Sequence, residues 1–443
     1  MYSRRFSNFG FLILLILIVL LPHLAQSTTS PEQIAEKFVE LLATKNYDGA
    51  YQMMDSTMKA VMPTEKLKST WENITNMFGE FKYQTKAEQT KYAQFDIIII
   101  TGHFEKGKLN IKVVLNPDGE VSGLWFMPYQ PKKAYDTPAY VDTTLFEEVE
   151  CTVKTGDWKL PATLTLPKKE GKFPAVVLIQ GSGPNDRDET VGALKPFRDI
   201  AQGLASKGIV VLRYEKRTKQ YPERCAKMMD SLGLDEEVID DAISAIELLG
   251  WAKKVDPKKI FVLGHSLGAV VAPIIAQRET LVAGIIMVCA SPRKITELML
   301  DQYKYIYTLD GKLDKDEKKR LKELKKKIKK ITKGKIKPGE IVLGAGKKYW
   351  DDILSLDPIK ELKKVKVPVL IVGCGRDYQV PEKDFRTFEE KLSGMKNITF
   401  KFYPKLNHLL VEGEGMSTPT EYQKPGHVSE KFINDIAEWV KGH

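Results

Sequence analysis

The residues whose types and spacing could do covalent chemistry are Gly264-His265-Ser266-Leu267-Gly268. A Gly-x-Ser-x-Gly run alone is weak, since chance supplies about 0.15 of them in a chain this long. Its neighbours change its meaning. Ile260-Phe261-Val262-Leu263 is an apolar run of the kind that forms a strand buried on both faces, and Leu267-Gly268-Ala269-Val270-Val271 opens a helix. A serine at such a junction sits on a sharp, strained turn, and the small glycines let strand and helix approach closely. Its hydroxyl then stands at a helix N-terminus, where the dipole and free N–H groups favour developing negative charge. The chemistry implied is attack by Ser266 on an acyl carbon.

A serine hydroxyl is a poor nucleophile at neutral pH until a base takes its proton. Of the six histidines, His23 falls in the apolar N-terminal segment, His103 in the first domain, His265 beside the serine and His443 at the chain end. His408 follows an apolar strand ending near Tyr403, at the carboxyl edge where an α/β sheet presents its ligand-facing groups. It is the expected base, with His427 in reserve. Asp377, in the loop after the strand Val369 to Gly373, is the expected acid that holds the imidazole in its working tautomer, with Asp357 in reserve. The chain order is then Ser, Asp, His, the order expected of an α/β hydrolase. Two N–H donors must meet the oxyanion. One is Leu267, the residue after the nucleophile. The other comes from Gly181-Ser182-Gly183-Pro184, with Ser182 nominated and Gly181 as the alternative. No CxxC or His/Cys spacing points to a metal, and the reaction requires no cofactor.

The elements that must position these groups follow from periodicity. The chain has 443 residues, enough for two or three domains. From Phe146 onward, short apolar strands alternate with helical stretches: strand to Gln180, helix from Leu194, strand to Tyr214, helix from Asp235, strand to Gly264. That alternation calls for a mostly parallel sheet with helices on both faces, and the elbow at Ser266 with the Ser, Asp, His order makes the expectation an α/β-hydrolase fold over residues 146–443. It breaks at about 292–366, read as a lid-like insertion. Residues 28–130 read as a small α+β domain. Its helices are expected over Pro31 onward, Tyr47 to Met62 and Thr64 to Phe78, and its strands over Phe81 to Ile100, Lys108 to Leu115 and Glu120 to Met127. Residues 131–145 read as linker.

Residues 1–27 have the pattern of an export signal: Arg4 and Arg5, an apolar run from Phe9 to Leu21, then Ala25-Gln26-Ser27. The run is shorter than the roughly 20 residues that span a bilayer, and an uncleaved anchor is the alternative. The net charge of +10 invites a nucleic-acid reading. Yet Lys312 to Lys337 holds 14 Lys or Arg against 4 Asp or Glu, so one segment carries the whole imbalance. Leu321, Leu324, Ile328 and Ile331 recur in it at helical spacing, which predicts a solvated helix with one apolar face, or a weak membrane-surface contact. No motif for nucleic acid accompanies it. Cys289 and Cys374 end apolar runs, and all four cysteines are expected as free thiols. Abundant Lys and Glu are compatible with a thermostable protein.

Three motifs together, Gly181-Ser182-Gly183-Pro184-Asn185-Asp186-Arg187-Asp188-Glu189, Arg213-Tyr214-Glu215-Lys216-Arg217 and the Gly264 to Gly268 elbow, resemble secreted bacterial α/β-hydrolase esterases of the dienelactone-hydrolase-like type. The resemblance runs from about residue 30 to the end, including the leading domain of unknown function. It implies hydrolysis of short- to medium-chain carboxylic esters. Dienelactone hydrolases proper use cysteine where this chain has Ser266. Relatives often have His-Gly at Gln180-Gly181, and Arg213 to Arg217 is read as structural support, with a part in shaping the pocket as the alternative. A serine peptidase or an acyltransferase of the same fold, and a non-catalytic binding protein on this scaffold, are the competing readings.

Overall fold

Buried strands need both faces covered, and that requirement organises the larger part of the chain. The computed structural model describes residues 30–92, 95–129 and 135–443. The export segment expected over residues 1–27 lies outside them. Among the described residues, no helix is long and apolar enough to cross a membrane. The chain divides into two compact units, Met1–Gln130 and Pro131–His443.

In the first unit, α1 (Pro31–Ala43) is started by a reciprocal cap between Ser30 and Gln33. The single helix expected over Tyr47 to Met62 is two: α2 (Tyr47–Gln52) and α3 (Ser56–Val61). The break has a local cause. Asp55 turns its carboxylate onto Met58 N–H as a new N-cap, and Met54 pairs with Val121 instead of continuing the helix. After α4 (Thr64–Phe78), the stretch read as one strand from Phe81 to Ile100 is a hairpin, β1 (Phe81–Tyr92) and β2 (Phe95–Phe104), with Phe81 opposite Phe104. One strand of that length would far exceed the usual span of about 5–6 residues. β3 (Gly107–Leu115) and β4 (Val121–Pro128) complete an antiparallel sheet in chain order. Phe38, Val39, Trp71, Ile98, Ile100 and Ile111 lie in its core.

The second unit opens with β5 (Phe146–Thr155) and β6 (Trp158–Pro167), followed by β7 (Phe173–Ile179), α5 (Pro196–Ala205) and β8 (Val210–Tyr214). Two short helices, α6 (Arg217–Gln220) and α7 (Pro222–Lys227), precede a π turn at Asp235–Ile239 that runs into α8 (Asp240–Gly250). Then come β9 (Val255–His265), α9 (Leu267–Arg278) and β10 (Val282–Val288). The insertion folds as α10 (Ile295–Tyr307), α11 (Lys315–Thr332), α12 (Lys347–Ser355) and α13 (Pro358–Leu362). β11 (Val369–Cys374), α14 (Glu382–Leu392), β12 (Ile398–Tyr403) and α15 (Glu430–Gly442) close the chain.

The sheet order is β12-β11-β10-β9-β7-β8-β6-β5, parallel from β12 to β8 and antiparallel at the β8/β6/β5 edge. Apolar residues of α8, α9 and α14 cover one face, and those of α5 and α15 cover the other. This is the α/β-hydrolase architecture expected from the alternation. Residues 135–145, read as linker, are held by this unit: Tyr135 OH donates to Asp199 at 2.6 Å, and Asp142 N–H to Ser206 Oγ at 3.0 Å.

The basic helix α11 buries the four apolar residues that its spacing marked, Leu321, Leu324, Ile328 and Ile331, and turns its lysines to solvent. The four cysteines are free, with Cys289 Sγ 3.4 Å from Cys374 Sγ at the ends of two neighbouring strands.

Candidate active site

β9, α9 and the loops after β7, β11 and β12 converge at the carboxyl edge of the sheet. Ser266 occupies the junction of β9 and α9 with φ 53° and ψ −114°, a left-handed conformation that non-glycine residues seldom adopt. Its neighbours must be glycine. A Cβ on Gly264 would overlap the backbone of Gly268, and one on Gly268 would overlap the carbonyl of Ile179. Ser266 N–H donates to Val288 O at 2.9 Å, which ties the turn to β10. The Leu267 N–H, first of α9, has no partner among the described residues.

The structure brings His408 and Asp377 together. His408 Nδ1 and Asp377 Oδ2 are 2.6 Å apart, and both side chains are buried. Asp377 Oδ1 accepts the N–H groups of Gln379 and Val380 at 2.8 and 2.9 Å, which fixes the carboxylate. Asn407 Oδ1 accepts from Leu409 and Val411, both at 3.0 Å, and so shapes the loop that carries His408. Burial disfavours the charged imidazole, but the charge and hydrogen bond of Asp377 outweigh it and push the pKa up to about 9. Ser266 Oγ makes no hydrogen bond to a described residue, so the serine and histidine are not yet joined. Such bonds are often long in unliganded sites and tighten around substrate.

The reserve residues sit elsewhere. His427 contacts Asp199 at 3.4 Å and Asp136 at 3.5 Å beside α5, and Asp357 caps α13 through Lys360 N–H. His103 stacks on Tyr83 in the first unit.

The loop after β7 lies against the serine: a Cβ on Gly181 would come within 3.2 Å of Ser266 Cβ. The two N–H groups considered for the oxyanion differ here. Gly181 N–H is committed to Glu189 Oε1 at 2.6 Å, whereas Ser182 N–H has no partner among the described residues. The Gly181 carbonyl accepts from Lys216 Nζ at 2.9 Å and Asn185 Nδ2 at 3.0 Å. Gln180, where relatives often carry His, donates its amide to Tyr214 O.

Sequence reasoning missed Glu189 and His265. Glu189 is buried, and its Oε2 faces His265 Nδ1 at 3.0 Å. His265 Nε2 in turn lies 2.9 Å from His408 O. A carbonyl can only accept, so Nε2–H donates to His408 O; burial opposes a charged His265, and the Glu189 charge beside it pushes its pKa well above the ordinary value. One carboxylate thereby links the loop beside the nucleophile to the backbone of the proposed base. The only signal was the quoted motif ending in Glu189, which says nothing of its partner.

His265, Cys289 and His408 are the one group of potential metal ligands among the described residues, their donor atoms within 4.8 Å of one another. His265 is engaged at Nε2 and turned to Glu189 at Nδ1, and His408 is engaged at Nδ1. The group therefore reads as a hydrogen-bonded histidine pair beside a buried thiol.

A pocket opens on Ser266 and Leu267. Its apolar wall comes from Ile295 and Leu298 of α10, Ile353 of α12, Leu356, Pro358 and Val380. The insertion expected to be lid-like does line the pocket, but the lining residues do not include its basic helix α11. α11 spends its apolar face on its own packing.

Comparison with known proteins places these features in context. Residues 35–124 match the profile of a protein family of unknown function (DUF3887), and residues 160–337 match that of the dienelactone hydrolase family. Esterase EstD of Thermotoga maritima is 39% identical over 409 residues, 92% of this chain and 95% of its own. Among solved structures, an acylaminoacyl peptidase of Pyrococcus horikoshii is 14% identical, covers 81% of this chain and 56% of its own, and has a TM-score of 0.47. An esterase of Pyrococcus furiosus is 16% identical, covers 70% and 98% respectively, and has a TM-score of 0.43.

Proposed function

The chain belongs to the family of esterase EstD and is a carboxylic-ester hydrolase, and we propose that Ser266, Asp377 and His408 form its catalytic triad. The observation that carries this reading is the buried 2.6 Å contact of Asp377 with His408, at the same sheet edge as the strained Ser266. In the proposed mechanism Ser266 attacks the ester carbonyl while His408 takes its proton. Leu267 and Ser182 N–H groups hold the oxyanion. The alcohol leaves with the proton from His408, and water activated by the same imidazole releases the acid from the acyl-enzyme.

The apolar wall of the pocket beside Ser266 supports short- to medium-chain acyl groups as the preferred substrates. Export through residues 1–27 is part of the proposal. So is heat stability, supported by surface ion-pair clusters such as Arg386 with Glu382 and Glu389. Mass analysis of the mature N-terminus tests the former and a melting curve the latter.

The test of the triad is covalent labelling with a fluorophosphonate. The wild-type chain is expected to label and the Ser266→Ala variant, folded by circular dichroism, to lose both label and turnover. Among p-nitrophenyl esters, acetate and butyrate should turn over at least tenfold faster than octanoate, and peptide anilides not at all. Retained labelling in Ser266→Ala, or faster cleavage of anilides, would sink the reading.

A further inference from the structure

The run Arg213-Tyr214-Glu215-Lys216-Arg217 is left without a task by the proposed triad, yet its three cations are buried. Arg213 pairs with Asp188 at 3.0 Å and Glu148 at 2.9 Å, and Glu215 accepts from Arg187 at 2.9 Å. Both Asp188 and Arg187 belong to the loop between Gly181 and Glu189. The run therefore fastens that loop along its length.

Lys216 goes further. Its ammonium is buried between Glu237 Oε1, at 2.8 Å, and the carbonyl of Gly181, at 2.9 Å. Glu237 reaches it from the π turn before α8, an irregularity frequent at functional sites. A peptide is planar and trans, so its C=O and N–H point in opposite directions. The peptide that carries the Gly181 carbonyl also carries the Ser182 N–H. Two donors on the oxygen, Lys216 and Asn185, therefore set the direction of the hydrogen. The cation also polarises the amide, which makes its N–H a stronger donor. On the other side, Glu189 takes the Gly181 N–H and fixes the preceding peptide.

We propose that Lys216 is a positioning residue for ester hydrolysis: it sets the plane and the polarity of the Gly181–Ser182 peptide so that Ser182 N–H meets the oxyanion. The inference rests on the reading of Ser266 as nucleophile and Ser182 as donor. Lys216 touches neither substrate nor reacting atoms, and its effect appears only where charge develops on the oxygen.

The test uses the full chain with p-nitrophenyl acetate. Lys216→Met should lower kcat by about 10²–10³-fold, the loss typical of one oxyanion donor, with KM within threefold. Affinity for an aryl boronic acid, whose serine adduct places an oxygen in the hole, should fall by a similar factor. Inhibition by an unreactive amide isostere of the ester should hold. Because Lys216→Met strands a buried Glu237, the double variant Lys216→Met/Glu237→Leu is measured beside it. Asn185→Ala, which removes the second donor without orphaning a charge, should lower kcat about 3–10-fold. The proposal is overturned if the double variant keeps kcat within threefold, or if boronate and amide affinities fall together. Activity persisting in Ser266→Ala would instead mark failure of the triad reading.

Discussion

The floor and the roof of the site are built by different physics. Beside Ser266, the loop Gly181 to Glu189 is fastened by buried charges: Arg213 pairs with Asp188, and Lys216, itself paired with Glu237, donates to the Gly181 carbonyl, with the Arg217–Asp241 pair next in the chain. Above it, the insertion is held by apolar packing. Leu321, Leu324, Ile328 and Ile331 of α11 are buried, as are Trp350 and Ile353 of α12. Most of its ion pairs, such as Lys347 with Asp351 and Lys348 with Asp352, stand largely in solvent, where each contributes only about 0–1 kcal/mol; the exception is Arg293 at its start, which holds the buried Asp384 through Nε and Nη2. The contrast teaches what each must do. Main-chain donors have to be aimed within fractions of an ångström, and directional charged hydrogen bonds do that. A pocket wall only has to exclude volume, and dispersion contacts suffice.

The comparison can be broken in stages, beginning with the largest effect. Asp377→Asn should lower kcat by about 10⁴-fold, because the imidazole loses its tautomer and its counter-charge. The same variant tests the pH profile. A base must be neutral to accept a proton, and Asp377 holds the His408 pKa up to about 9. In the wild type, kcat/KM should therefore fall roughly tenfold per unit of pH below that value. In Asp377→Asn the residual activity should show this limb displaced to lower pH. An unmoved limb would mean that another group titrates.

Next is stability. Arg217 meets Asp241 through two hydrogen bonds, of 2.6 and 2.8 Å, with both side chains buried. Arg217→Met leaves the carboxylate buried and unpaired, which should cost about 3–5 kcal/mol in urea or thermal unfolding. A loss under 1 kcal/mol would remove the distinction between floor and roof.

The roof should respond in selectivity. Leu298→Ala enlarges the pocket wall and is expected to raise the butyrate-to-acetate ratio of kcat/KM by about 10-fold, the scale of one or two methylenes. The pH profile should stay where it is. Unchanged selectivity would place the acyl group elsewhere.

The smallest effect belongs to α11. Replacing its solvated Lys318, Lys322, Lys325 and Lys329 with Gln should change stability by no more than about 0.5 kcal/mol each and leave kcat untouched. A large fall in turnover would restore the basic helix to the site.

Much of this was legible before any coordinates. Strands buried on both faces read as continuous apolar runs, so β7, β9, β10 and β11 could be placed by composition alone. The elbow at Ser266 was legible because strand, turn and helix are consecutive in the chain. Asp377 and His408 could be proposed because each follows a strand whose end defines the working edge of the sheet. The missed break between α2 and α3 shows the limit of periodicity. Apolar spacing continued through Met53 and Met54, but Asp55 capped a new helix and Met54 paired with a strand far along the chain.

By itself, then, the sequence determined the alternation that builds the sheet, the serine at its turn, and the two loops that could supply acid and base. These depend on neighbours within a few residues, where periodicity and sterics act directly. Which peptide of the Gly181 loop keeps a free N–H, that Lys216 and Glu189 hold it, and that α10, α12 and α13 line the pocket emerged with the folded chain. Those outcomes turn on the direction of single carbonyls and N–H groups and on side chains that meet across 8 residues for Glu189 and 35 for Lys216. A one-dimensional pattern carries no record of direction.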